Sequence, residues 1–200
     1  ARRLRFIPEE IHELERQMSA IYYCNFSVFQ SAPDTWAIDQ LFPVMPIHRL
    51  AEAPARRATL ADLTCDSEGI IDHFIDVEAV KHSLDVHPII KGEPYLLAMF
   101  LMGAYQEILG DLHNLFGDTN AVHVRLTEHG YDVDHVIQGD SVEEVLRYVE
   151  YEPKVMVDRV RRQAERALSQ GRITPKQMKL LMRHYEEGLR SYTYLSDGDE

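Results

Sequence analysis

The hydrophobic spacing changes once along the chain, and the order of the two patterns limits the fold. From about residue 22 to residue 138, apolar residues alternate or form short runs between prolines and glycines, which is typical of strands. From Ser141 onward the spacing becomes helical. Within this part, the alternating aromatic residues at 22–30 predict a strand, and Pro33-Asp34 predicts a turn. Strands followed by helices predict an α+β fold. We expect a mainly antiparallel β-barrel or sandwich at 22–138, a helix at 1–21, and a subdomain of about three helices at 139–200.

The C-terminal helices carry clear start signals. Ser141 with Glu144, and Thr174 with Gln177, are spaced as capping boxes, in which the two residues satisfy each other's backbone N–H groups. Pro153 suits the first turn of the middle helix. We expect the methionines and tyrosines on the apolar stripe of the last helix to form core rather than a cofactor site.

An apolar run at 96–102 has the length of a buried strand and is too short to cross a membrane. The character then changes: Gly103 permits a tight exit, Tyr105 places a phenol at the predicted strand end, and Phe116 follows in a polar loop. Loops on a rigid scaffold often carry binding groups. The ordinary alternative is that Tyr105 buries its ring in the core and leaves its hydroxyl in water.

A thiol beside a carboxylate follows the strand predicted at 58–64. Cys65 and Asp66 are a candidate catalytic pair, because a thiol can transfer a proton and a carboxylate can bind a cationic group. The alternative is structural, since a free cysteine most often behaves as a small buried hydrophobe.

The net charge of −12 argues against nucleic acid and anionic membranes as partners, because both attract clustered lysine and arginine. It suits a cationic ligand. Neither a signal peptide nor a transmembrane run is visible, so we expect a cytoplasmic location. Cys24 and Cys65 are expected to be reduced thiols. The chain begins at Ala1 rather than at a methionine, and we expect it to be a piece of a longer protein.

Three evenly spaced histidines raise the question of a metal site. His123, His129 and His135 lie on a predicted hairpin, where steps of six residues scatter side chains over the strands and the turn. The segment holds no closely spaced ligand pair of the kind that zinc sites use. The sequence therefore assigns no metal ligand.

Several motifs together resemble the biosynthetic arginine decarboxylases, which are pyridoxal-phosphate (PLP) enzymes of the alanine-racemase fold type. The strongest are Thr64-Cys65-Asp66-Ser67 and the stretch GAYQEILGDLHNLFGD at 103–118. Further similar segments lie at 25–27, 29–31, 33–34, 38–43 and 192–195. The resemblance implies that the chain is the C-terminal part of such an enzyme, with 1–21 as the last helix of an inserted helical bundle.

The resemblance also implies an activity and a set of roles. The whole enzyme would be a carboxy-lyase that converts L-arginine to agmatine and carbon dioxide in polyamine (spermidine) biosynthesis, working as a homodimer or higher homo-oligomer. Cys65 would deliver a proton in the partner subunit's site after carbon dioxide leaves, and Asp66 would bind the guanidinium group. Asp39 would add a second carboxylate, Phe116 would wall the pocket, and Tyr105 would donate a hydrogen bond to the PLP phosphate in its own subunit.

In this family the lysine that binds PLP belongs to an N-terminal (β/α)8 barrel, and none of the lysines here lies in a matching motif. We therefore expect this chain alone to be inactive. The resemblance implies magnesium as well, without assigning a ligand. Two alternatives stay open: a non-catalytic oligomerisation or interaction module, and a small metal hydrolase that would contain zinc.

Overall fold

The computed structural model of the chain describes residues 14, 17–77 and 80–196. The chain divides into two units, Ala1–Asp111 and Leu112–Glu200. The first contains short strands and single-turn helices, and the second contains a hairpin and three longer helices. The predicted mixed α+β character and the C-terminal helices are confirmed. The helix predicted at 1–21 lies mostly outside the described residues, and the predicted domain limits stay predictions.

The first unit is built around a small sheet. Its described elements are β1 (Ala20–Tyr23), α1 (Val28–Ser31), α2 (Pro33–Ala37), β2 (Val44–Pro46), β3 (Arg56–Ala61), β4 (Ile70–Ile71), β5 (Phe74–Ile75), β6 (Val80–Lys81), β7 (Leu84–Val86), β8 (Leu97–Met99) and α3 (Ala104–Ile108). Strand β3 is central: β1 pairs with it in parallel, whereas β4 and β7 pair antiparallel with its two ends. Strands β2 and β8, and β5 and β6, form separate antiparallel pairs.

The core of this unit explains why β3 is central. Its last four residues are buried, as expected for a strand with neighbours on both sides. The side chains that pack together there are aliphatic or aromatic: Val28, Ala58, Leu60, Ile71, Phe74, Leu84 and Val86. Burial of this apolar surface stabilises the frame from which the loop after β3 projects.

Three local predictions in this unit are wrong. A strand was expected at 22–30, but β1 ends at Tyr23 and Ser27 caps a helix by accepting a hydrogen bond from the Gln30 N–H at 3.3 Å. The apolar run at 96–102 yields only the three-residue, half-buried strand β8. The turn expected at Pro33 is the first turn of α2, a position that suits proline because its missing N–H needs no partner there.

The second unit begins with an amphipathic hairpin, β9 (Ala121–Thr127) and β10 (Gly130–Ile137), as the sequence predicted. Cross-strand partners lie on the same face of such a ribbon. One face therefore carries six apolar side chains that are between 52% and 85% exposed: Val122, Val124, Leu126, Tyr131, Val133 and Val136. The other face carries Arg125, which donates hydrogen bonds to Asp134 at 3.1 Å.

Three helices complete the second unit: α4 (Val142–Tyr148), α5 (Pro153–Ser169) and α6 (Pro175–Arg190). Both predicted capping boxes are present. Across the described part of the chain, the strands form one four-stranded and three two-stranded sheets, without a closed barrel. Every helix in that part falls short of the length and apolarity that a bilayer crossing requires.

Candidate functional site

Cys65 and Asp66 lie on a short loop that connects β3 to β4. The Asp62 N–H donates to the Gly69 carbonyl at 2.8 Å, which brings the two ends of the loop together. Cys65 is exposed and Asp66 is half-buried. The Cys65 Sγ lies 3.9 Å from Asp66 Oδ2, so the thiol and the carboxylate are neighbours in space as well as in sequence.

The loop is anchored by a residue that the sequence reading missed. Asp62 is only 2% exposed. Its Oδ1 accepts hydrogen bonds from the Thr64 N–H at 2.8 Å and from the Thr64 hydroxyl at 2.7 Å, while its Oδ2 accepts from the Val28 N–H at 2.8 Å. An aspartate two residues before a threonine is the spacing of an Asx-turn, and that signal was available in the sequence.

Gly69 closes the other end of the loop against the same carboxylate. A Cβ at this position would lie 2.2 Å from Asp62 Oδ1 and 2.8 Å from Thr64 Oγ1. Only glycine leaves room for this approach, so both ends of the loop converge on Asp62.

The same loop also contributes Glu68, two residues after Asp66, to an acidic groove. The groove has a volume of about 480 Å³, and its lining includes the acidic residues Asp39, Glu68 and Asp72, together with His73 and apolar side chains. The His73 Nδ1 lies 2.6 Å from Asp72 Oδ1. Asp39 has a φ of 55°, which aspartate tolerates better than most residues, and it is exposed. The predicted second carboxylate therefore lies in the same groove as Glu68 of the Cys65 loop. A concentration of carboxylates suits a cationic group.

Tyr105 lies on the single-turn helix α3, not at the end of a buried strand as predicted. Its side chain is 76% exposed, and its hydroxyl makes no hydrogen bond with the residues that the structure describes. The neighbouring Gln106 is buried and holds α3 in place, since its Nε2 donates to Asp34 Oδ2 at 2.5 Å and its Oε1 accepts from the Asp34 N–H at 3.2 Å. The phenol is thus presented outward from a fixed backbone.

Phe116 lies in the second unit and stacks on Tyr194, with ring centroids 5.2 Å apart and planes 27° apart. The Tyr194 hydroxyl donates to the Gly117 carbonyl at 2.8 Å, and the Gly117 N–H donates to Thr193 Oγ1 at 3.1 Å. Leu115 has a φ of 63°, which is rare for a bulky residue. The tail at 192–194 therefore holds the Phe116 loop in an uncommon conformation.

The two cysteines have different environments. Cys24 is half-buried, its thiol donates to the Tyr22 carbonyl at 3.5 Å, and burial raises the pKa of this thiol to about 11. Cys65 is exposed. Since the thiolate is the reactive form, Cys24 is the inert member of the pair.

The groups that a cofactor or metal would need are present only in part. Tyr105 offers an accessible phenolic O–H, which fits one phosphate oxygen. Within 14, 17–77 and 80–196, no cluster of three or more histidine, cysteine or carboxylate side chains has the geometry of a metal site. The rings of His123 and His135 do face each other across the hairpin, with centroids 5.9 Å apart.

The chain is similar to arginine decarboxylases over nearly its whole length. Residues 142–195 match the family described as the arginine decarboxylase C-terminal helical extension. The biosynthetic arginine decarboxylase of Gloeobacter violaceus is 58% identical over 98% of this chain and 31% of the relative. That of Nostoc sp. is 58% identical over 96% of this chain and 28% of the relative. The chain thus spans about a third of the length of the curated relatives that it matches.

A solved structure gives the same result at the level of the fold. The crystal structure of the biosynthetic arginine decarboxylase from Campylobacter jejuni superposes with a TM-score of 0.77 at 34% identity, covering 88% of this chain and 29% of that chain. The predicted resemblance is therefore confirmed.

Proposed function

We propose that this chain, which matches the C-terminal part of the biosynthetic arginine decarboxylases, supplies half of a composite site for the decarboxylation of L-arginine to agmatine. One observation carries the proposal: Cys65 and Asp66 are presented together on an anchored, accessible loop, and Glu68 of the same loop lines an acidic groove. The neighbouring half of the site, with the lysine that binds PLP, belongs to the part of the enzyme that this chain does not match. The chain alone is inactive on this account.

The substrate end of the site is acidic. Asp66 pairs with the arginine guanidinium, because a carboxylate accepts two parallel N–H bonds from that planar group. Asp39 adds negative charge from the groove. Together these carboxylates favour a long cationic substrate over a neutral one.

The reacting end of the site needs a proton donor. PLP, when bound, supplies the electron sink that allows the carboxylate of an amino acid to leave. The Cys65 thiol then delivers a proton to the carbon atom that has lost carbon dioxide, in the site of the partner subunit. Its exposure and its position next to the substrate-binding Asp66 support this role.

Two further residues have proposed roles, and that of Tyr105 is in the chain's own subunit. The Tyr105 hydroxyl donates a hydrogen bond to the PLP phosphate, which its outward orientation supports. Phe116, fixed by the Tyr194 ring, walls the pocket. We assign the strands at 22–138 to the β domain of an alanine-racemase-type enzyme, which among the described residues forms small sheets without a closed barrel. Magnesium is proposed from the family resemblance alone, and the cytoplasmic location stays a prediction from the sequence.

The test uses a chimera in which this chain replaces the matching region of the Gloeobacter violaceus decarboxylase. We expect Cys65→Ala to lower kcat by about 100-fold, the typical contribution of a proton-transfer group. Asp66→Asn should raise KM for arginine by about tenfold, as loss of a charged hydrogen bond predicts. Cys24→Ala and Asp132→Asn, which change the less accessible thiol and a carboxylate of the second unit, serve as matched controls. Normal kcat and KM in both site variants would refute the proposal.

A second candidate function is assembly without a catalytic role, and the exposed apolar face of the β9–β10 hairpin favours it. An isolated two-stranded ribbon is marginally stable in water, so this face is suited to packing against protein. Under this alternative the Cys65 and Asp66 variants keep full activity. Val124→Asp, in contrast, would change the oligomeric state of the chimera, which is measured as its molecular mass in solution.

A further inference from the structure

We propose that Asp62 is a positioning residue whose buried carboxylate holds the loop bearing Cys65 and Asp66 in its working conformation. The catalytic consequence of this inference rests on the proposed function. The structural part stands on the geometry of the first unit alone.

Both oxygens of the Asp62 carboxylate are used. Oδ2 accepts the Val28 N–H at the start of α1, and Oδ1 accepts both the N–H and the hydroxyl of Thr64. All three contacts come from donors, which offset the cost of burying a carboxylate. Asp62 thereby links the core helix α1 to the residue that directly precedes Cys65.

A capping role for α1 alone would not need this arrangement. Ser27 already caps that helix by accepting the Gln30 N–H, and the Val28 N–H occupies only one carboxylate oxygen. The other oxygen is devoted to Thr64, whose side-chain and backbone donors both point at it. Two bonds from one residue fix the start of the loop more tightly than a single bond would.

The far end of the loop is fixed by the same group. The Asp62 N–H bonds to the Gly69 carbonyl, and the Gly69 Cα lies so close that a Cβ would overlap Oδ1. Asp62 therefore fixes both ends of the loop. A shift of Asp62 or Thr64 moves Cys65 and Asp66 together, which changes both proton delivery and guanidinium binding.

Thr64→Val tests this with little change in shape, because it removes the hydroxyl donor and leaves the Val28 contact intact. In the chain itself, we expect faster deuterium uptake by the peptide spanning 63–69. In the chimera, kcat/KM for arginine should fall by about tenfold. Thr64→Ser, which restores the hydroxyl, should recover both values. Asp62→Asn should have a larger effect than Thr64→Val on both deuterium uptake and kcat/KM. Its side-chain NH2 group would face at least one of the three donors in place of an acceptor oxygen.

Val145→Ala, a core truncation in the second unit, controls for general destabilisation: it should lower the unfolding midpoint without faster exchange at 63–69. Unchanged exchange and unchanged kcat/KM in Thr64→Val would overturn the inference, even if Asp62→Asn failed to fold. The inference would also be overturned if Thr64→Ser failed to recover the deuterium uptake and the kcat/KM of the unmodified chain. If the proposed function fails instead, the Cys65 and Asp66 variants are active while the exchange result stands.

Discussion

At the scale of single residues, the two thiols of this chain are predicted to behave very differently. Burial raises the pKa of Cys24 to about 11, whereas Cys65 is exposed. Because alkylation requires an accessible thiolate, iodoacetamide at pH 8 should label Cys65 first and reach Cys24 only after unfolding. Peptide mass spectrometry reads the order directly. Cys65→Ser should remove the fast phase, and equal labelling of both cysteines in the native chain would contradict the assigned environments.

Two glycines offer opposite outcomes for the same substitution. Gly69→Ala places a Cβ 2.2 Å from Asp62 Oδ1, so we expect a loss of about 1–3 kcal/mol in the free energy of unfolding. Gly188→Ala in α6 meets nothing within 4 Å and should stabilise by roughly 0.4–1 kcal/mol, since alanine is the better helix former. Denaturant titration measures both. A tolerated Gly69→Ala would show that the loop is not held against the carboxylate.

At this scale the sequence could predict which residues carry reactive groups, but not which residues hold them in position. Cys65 and Asp66 stood out because a thiol can transfer a proton, a carboxylate can bind a cationic group, and the motif around them resembles the arginine decarboxylases. For Asp62, the sequence offered the local turn with Thr64 but not the link to α1, because that link is an N–H from Val28, which lies 34 positions away in the chain. The outward position of Tyr105 likewise depends on a distant residue, because the adjacent Gln106 bonds to Asp34, 72 positions away in the chain. The roles assigned to the site residues themselves stay predictions.

At the scale of secondary-structure elements, the capping box of α4 gives a pH prediction. Hydrogen bonds from the side chain and backbone of Ser141 lower the pKa of the exposed Glu144 carboxyl. A pKa that folding lowers adds stability above the unfolded-state pKa, and that stability is lost as the pH falls through the folded-state pKa. The difference in unfolding free energy between the chain and Glu144→Gln should therefore shrink in acid. A difference independent of pH would contradict the assignment.

The same scale shows which elements a sequence pattern determines. The hairpin and the three helices were predicted because their periodicity and capping residues act locally. The segment at 22–30 was misread as a strand, since its aromatic residues suggest β-structure while Ser27 provides an N-cap that decides for a helix. The run at 96–102 was misread as a buried strand because its only strand partner, among the described residues, is the three-residue β2.

At the scale of the whole molecule, the chain spans about a third of the length of its relatives. Two of its surfaces are suited to contact with further protein or with a substrate. One face of the β9–β10 hairpin is apolar and exposed. The acidic groove and the exposed Cys65 loop carry the carboxylates and the thiol of the proposed site, whereas none of the lysines in the sequence lies in a recognisable cofactor motif. The proposed site is therefore complete only when a second subunit supplies its other half.

Hybrid dimers test that dependence most directly. The chimera with Cys65→Ala is coexpressed with a chimera that lacks its PLP-binding lysine, and dimers containing one of each are isolated with two different affinity tags. Each variant alone should be nearly inactive. The hybrid should decarboxylate arginine, because one of its two sites combines an intact lysine with an intact Cys65 from the partner. A hybrid as inactive as its parents would contradict the claim that Cys65 works across the subunit interface.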